Sequence, residues 1–92
     1  MDDFDDDEWA EMQEMYIKHT FKELSSIKED INSASFDSLR TFGHNIKGSG
    51  GMYGFNEITE MGASIETAAK NENMNQIKLD LDKLETFLKS KL

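Results

Sequence analysis

Apolar residues recur at intervals of three and four along almost the whole chain, and no segment alternates apolar with polar as a half-buried strand would. The first stripe runs through Trp9, Met12, Tyr16, Thr20, Leu24, Ile27 and Ile31 and breaks at Asn32-Ser33-Ala34-Ser35. Ser35 is placed to cap the next helix, whose apolar positions Phe36, Leu39, Phe42, Ile46 and Tyr53 pass through a glycine-rich stretch. Asn56 is the expected cap of a third helix, with Ile58, Met61, Ile65 and Ala68 turned inward. After a turn at Asn71 to Asn73, Asn73 and Gln76 have capping-box spacing, and Ile77, Leu81, Leu84 and Leu88 form an unbroken seam. The pattern predicts an all-α protein, an antiparallel four-helix bundle whose small core gives modest stability.

Composition narrows the function. A chain of 92 residues is one domain. Its 19 acidic against 10 basic residues give a formal charge of -9, which repels phosphate backbones and anionic lipid, so nucleic-acid and membrane-surface roles are disfavoured. There is no cysteine, hence no disulfide framework, thiolate nucleophile or cysteine-ligated metal. No run approaches a membrane span and the N-terminus is acidic where a signal peptide is basic, so a cytoplasmic, soluble monomer is expected. Asp2, Asp3, Asp5, Asp6, Asp7 and Glu8 concentrate the acid at the N-terminus. They lack the central glycine and distal glutamate of a calcium loop, and residues 1–8 read as a solvated tail ahead of a bundle domain at 9–92. The six methionines read as adaptable core filler.

The chemistry is concentrated between Arg40 and Gly54, where five glycines fall in fifteen residues. Each glycine inside a helix costs about 0.8–1 kcal/mol relative to alanine, so their clustering calls for a reason. A flexible loop is the simplest one, but Phe42, Ile46 and Tyr53 keep helical phase through the glycines. At about 100° per residue, Leu39, Phe42, Ile46 and Tyr53 lie within roughly 60° of one another, and His44 falls roughly 170° from their mean. His44 is thus expected to face water, sharing its face with Arg40, Lys47, Gly48 and Gly51. An exposed imidazole, with an ordinary pKa of about 6.5, is a usable nucleophile at neutral pH. Lys47 and Arg40 can offset the charge of an incoming phosphoryl group, and bare glycines leave room for another protein to approach.

The run His44-Asn45-Ile46-Lys47-Gly48-Ser49, followed by Gly54-Phe55, resembles the His-x-x-Lys-Gly-(Ser/Ala) signature of histidine-containing phosphotransfer (HPt) domains, which has a glycine ten residues after the histidine. Ile58, Met61, Ile65 and Glu66 resemble that family's third-helix pattern, and the likeness extends from about Tyr16 to the C-terminus. Gly43, where the family more often carries a larger residue, and the Gly50-Gly51 pair depart from it. The resemblance implies a four-helix bundle that accepts a phosphoryl group on His44 from a receiver-domain aspartyl phosphate and relays it to another receiver. With the helical face read above, Lys47 is the expected electrostatic support and Arg40, Asn45, Gly48 and Gly51 the expected docking surface. The implied partners are response-regulator receivers and, for some members, a hybrid sensor kinase. No cofactor of its own is implied, Mg²⁺ belonging to the receiver, and no ATP site, so the protein is a phosphoryl carrier. It is either free-standing, which Met1 and the short tail favour, or a module of a larger kinase.

Other readings are weaker on the residues. A P-loop needs its lysine after the glycines and a preceding strand, and neither condition is met. A haem bundle needs an inward histidine, whereas His44 points outward and His19 borders the first stripe as a residue without chemistry. The rival from another class is a non-catalytic acidic adaptor bundle, in which His44 is an incidental surface residue.

Overall fold

The computed structural model describes residues 6–92. Within them lie four helices, α1 (Asp6–Glu29), α2 (Phe36–Gly50), α3 (Asn56–Lys70) and α4 (Met74–Lys91), with a 3₁₀ turn (Gly51–Tyr53) between α2 and α3. The described residues contain no strand, as the sequence predicts. Asp2, Asp3 and Asp5 lie outside the described residues. The helix already includes Asp6, Asp7 and Glu8, three residues ahead of the expected start at Trp9. Their carboxylates sit in the first turn, where unpaired backbone N–H groups favour negative charge.

The helix ends follow local chemistry. Ser35 caps α2 by accepting the Ser38 N–H on its Oγ at 3.0 Å. Asn73 caps α4 through its Oδ1 and the Gln76 N–H at 3.1 Å. The reciprocal half of the capping box is absent: the Gln76 side chain donates to Asp80 at 2.9 Å, and the Asn73 N–H bonds Ala68 O instead. Asn56 is not the cap of α3. Gly54, at φ +87°, reverses the chain while the Phe55 N–H bonds Gly50 O and the Gly54 N–H bonds Gly51 O, a Schellman closure. That reversal leaves only Phe55 before α3, so Asn56 falls inside its first turn. The same closure ends α3, with Glu72 at φ 53° in the position usually taken by glycine.

The core holds the predicted seam of α4, with Ile77, Leu81, Leu84 and Leu88 all buried, and Leu39, Phe42, Ile46, Ile58 and Ile65 facing it. On α1 the buried positions are Ile17, Thr20 and Leu24. Trp9 and Tyr16, at the front of the predicted stripe, pass over the 3₁₀ turn instead, where Tyr53 stacks on both. Met61 packs against the core but is only partly buried, and Met15 and Met52 are exposed, so the methionines are not uniformly filler.

The α2–α3 interface is built from missing side chains. A methyl group at Gly43 would lie 2.7 Å from Glu66 N, and one at Gly62 would lie 2.6 Å from Lys47 N and 2.7 Å from Gly43 O. One at Gly50 would meet Thr59 N at 2.7 Å. These distances are too short for real contacts, so the glycines let two backbones touch. The pairings 43 with 66, 47 with 62 and 50 with 59 run in opposite directions, which makes α2 and α3 antiparallel. Gly43 therefore needs no larger residue: Gly62 opposite supplies its partner.

Candidate functional site

α2 runs unbroken through Gly43 and Gly48 only as far as Gly50, where the 3₁₀ turn takes Tyr53 off the predicted inward stripe. Within α2 the phase places His44 on the outer face, its side chain 65% exposed. The close α2–α3 contact brings Glu66 beneath it. The Glu66 Oε2 lies 2.9 Å from His44 Nδ1, and its Oε1 accepts from Lys47 Nζ at 2.8 Å. Glu66 itself is only 11% exposed at its side chain. Hydrogen bonds from Lys47 first and His44 second hold its carboxyl down from 4.5 to about 2, so it is ionised across the physiological range. An ionised carboxylate only accepts, hence Nδ1 carries the ring proton in this contact. In the neutral ring the lone pair then lies on Nε2, which has no hydrogen-bond partner among the described residues.

The sequence-predicted site residues divide in three. His44 and Lys47 are brought together, but on a shared carboxylate: the Lys47 ammonium is bound to Glu66 instead of standing open to solvent. Gly48 faces open space, with nothing within 4 Å of where a side chain would begin, and Asn45 and Gly51 are also exposed. Arg40 lies in an ion pair of 3.6 Å with Asp37 and, with Thr41, His44, Glu66 and Lys70, lines a hollow between α2 and α3. His19 is 71% exposed at its side chain and lies 3.4 Å from Glu23, away from these residues. With both histidines outward, neither is placed as an axial ligand inside the bundle.

Sequence reasoning on the helical wheel missed Glu66 and Lys70 as parts of the site. The signal available was their i,i+4 spacing with Gly62 on α3, one line of a glycine, an acid and a base, but nothing in a single chain says which face of α2 that line meets. Three hydroxyls support the arrangement from the far end. Thr59 Oγ1 donates to Lys47 O at 2.9 Å and accepts the Gly51 N–H at 2.8 Å, joining α2 to the 3₁₀ turn across α3. Tyr16 and Ser49 hydroxyls meet at 2.7 Å, which ties α1 to the last turn of α2.

An all-helical domain presenting an exposed histidine, held at one nitrogen by a buried carboxylate, defines the class of structure. The profile of the Hpt domain family matches residues 11–89, and the chain belongs to that family, whose members carry histidine phosphotransfer in two-component phosphorelays. No curated protein and no solved structure matches the chain significantly. No helix among the described residues is long and apolar enough to cross a membrane.

Proposed function

We propose that the protein relays phosphoryl groups between receiver domains through His44. The Nε2 lone pair attacks the phosphorus of a receiver aspartyl phosphate, the P–O bond to the aspartate breaks, and its electron pair leaves with the carboxylate. The ring keeps the proton on Nδ1 and gains positive charge, which the Glu66 carboxylate 2.9 Å away offsets. The second transfer reverses these bond changes on another receiver's aspartate. Lys47 supports the site by fixing Glu66, and Arg40, Asn45, Gly48 and Gly51 offer a surface on which a receiver settles. The Mg²⁺ that neutralises the transferring group is the receiver's, and the chain spends no ATP of its own.

The observation that carries this reading is the half-held histidine: Nδ1 bound to an ionised carboxylate, Nε2 directed away from it on an exposed face. The test is incubation with a phosphorylated receiver, followed by recovery of an acid-labile label. Wild type and His19→Gln are expected to take up label and His44→Gln none, His19→Gln melting as wild type and His44→Gln close to it, since Lys47 remains the principal partner of Glu66. Label persisting in His44→Gln would overturn the assignment.

A further inference from the structure

Lys47, the cation that the His-x-x-Lys spacing offers to the phosphoryl group, is already committed, because its ammonium lies 2.8 Å from Glu66. Turning it toward a phosphoryl group would leave the little-exposed Glu66 carboxylate without its principal partner. Two other cations reach the same place. Arg40 sits one turn before His44 on α2, Lys70 sits one turn after Glu66 on α3, and both line the hollow beside the imidazole. Lys70 makes no contact ion pair among the described residues and acts on Glu66 only as a minor charge attraction without a hydrogen bond, and Arg40 has only the exposed, longer contact with Asp37. A doubly charged phosphoryl group on Nε2 would find these two ammonium and guanidinium groups available on either wall.

We propose that Arg40 and Lys70 form the phosphoryl-binding pair of this site, and that Lys47 acts on His44 through Glu66 and not on the phosphoryl group. The proposal rests on the phosphotransfer reading and assigns its electrostatics. Lys70 is exposed and its charge is the weakest of the causes that hold the Glu66 carboxyl down, so its removal is expected to leave the melting temperature nearly unchanged. Arg40 is expected to matter less, since Asp37 competes for it.

The experiment phosphorylates the whole chain with phosphoramidate, a small donor that loses ammonia as the imidazole nitrogen bonds to phosphorus and so needs no partner protein. The rates at His44 and His19 are resolved by ³¹P NMR, with exposed His19 as the internal reference. The ratio of His44 to His19 labelling is expected to fall roughly three- to tenfold in Lys70→Ala, less in Arg40→Ala, and to return within about twofold in Lys70→Arg. The deficit should shrink as salt screens the charges. An unchanged ratio in the Lys70→Ala, Arg40→Ala double variant overturns the pair, as does a Lys70→Arg protein that stays as slow as Lys70→Ala. Failure of the phosphotransfer reading shows separately, as wild type that labels from phosphoramidate but not from any phosphorylated receiver.

Discussion

Between α2 and α3 the helices touch backbone to backbone, whereas α1 and α4 meet through bulky side chains. Gly43, Gly50 and Gly62 let the two backbones approach along the first seam, and Thr59 and Glu66 bridge it with hydrogen bonds. Between α1 and α4, α1 contributes the buried Ile17 and Leu24 and α4 the buried Leu84 and Leu88 to the common core, with Lys28 clamped to Asp82 at 2.7 Å and Glu85 at 2.8 Å. The clamp raises the Lys28 pKa, through its hydrogen bond to Asp82 first and to Glu85 second, and lowers that of Glu85 through the bond to Lys28. A leucine-filled seam tolerates small shifts because side chains re-pack, but a glycine contact has one spacing. The group that must sit within hydrogen-bond reach of His44 lies across the seam with no slack.

The largest expected effect separates stability from geometry. Leu84→Ala should cost about 2–5 kcal/mol in denaturant unfolding at low temperature, since Leu84 is wholly buried. It should leave phosphorylation per folded molecule unchanged, because His44, Lys47 and Glu66 all sit on α2 and α3. A Leu84→Ala protein whose folded fraction transfers slowly would show that the two seams are coupled.

Gly62→Ala is the converse. Alanine improves helix propensity by up to about 1 kcal/mol, but a methyl 2.6 Å from Lys47 N must push α3 away, at about 1–3 kcal/mol. Net destabilisation by calorimetry is expected together with a loss of phosphorylation larger than the folded fraction explains. A net gain in stability would mean that the seam yields as readily as a leucine one.

Glu66 gives the comparison a pH axis. Its carboxyl is held from 4.5 down to about 2 in the fold, so its share of stability is present above about 4.5 and is lost as the pH falls toward 2. Melting followed from pH 6 to pH 2 should show a shallower acid limb in Glu66→Gln than in wild type, and Glu66→Gln should also phosphorylate more slowly at neutral pH. The remaining acid sensitivity should include Glu85 on the other seam. Parallel limbs in wild type and Glu66→Gln would show that the carboxylate is not held as described.

The smallest effects concern two single positions where glycine is either dispensable or wanted. Gly48 meets nothing, so Gly48→Gln should raise stability by up to about 1 kcal/mol while obstructing the face beside His44 and slowing transfer from a receiver. Gly48 thus differs in sign from Gly62 across the seam and from Gly43 and Gly50 on its own helix, where a methyl would meet backbone, and a destabilised Gly48→Gln would remove that distinction. Glu72, at φ 53° where glycine is at ease, should gain by up to about 1 kcal/mol as Glu72→Gly, read as a small rise in melting temperature.

Local rules explain what could be read without coordinates. Ser35 and Asn73 cap their helices because capping needs only residues three apart, and α4 buries its seam because four aliphatic residues on one stripe leave no other choice. His44 faces outward because helical phase, once it survives the glycines, fixes the direction of every side chain on α2. The front of α1 was less legible. Trp9 and Tyr16 share the stripe of Leu24, yet they stack on Tyr53 because the 3₁₀ turn lies under that end of the helix, and Ile17 takes the inward place. Asn56 was displaced from its capping role by a reversal at Gly54 that needs a left-handed residue, a demand visible only when the turn is closed.

The sequence by itself determined the four helices, their inward stripes, the exposed histidine and the family signature around it, since each depends on residues within a turn or two of one another. Only the tertiary structure decided that the nitrogen facing inward would meet Glu66, 22 residues away, and that Lys47 would be spent on the same carboxylate. Along the chain Gly43 reads as one of five clustered, helix-weakening glycines and Gly62 draws no notice. Packed together they set the distance between α2 and α3, because a contact between two backbones belongs to neither segment until both are in place.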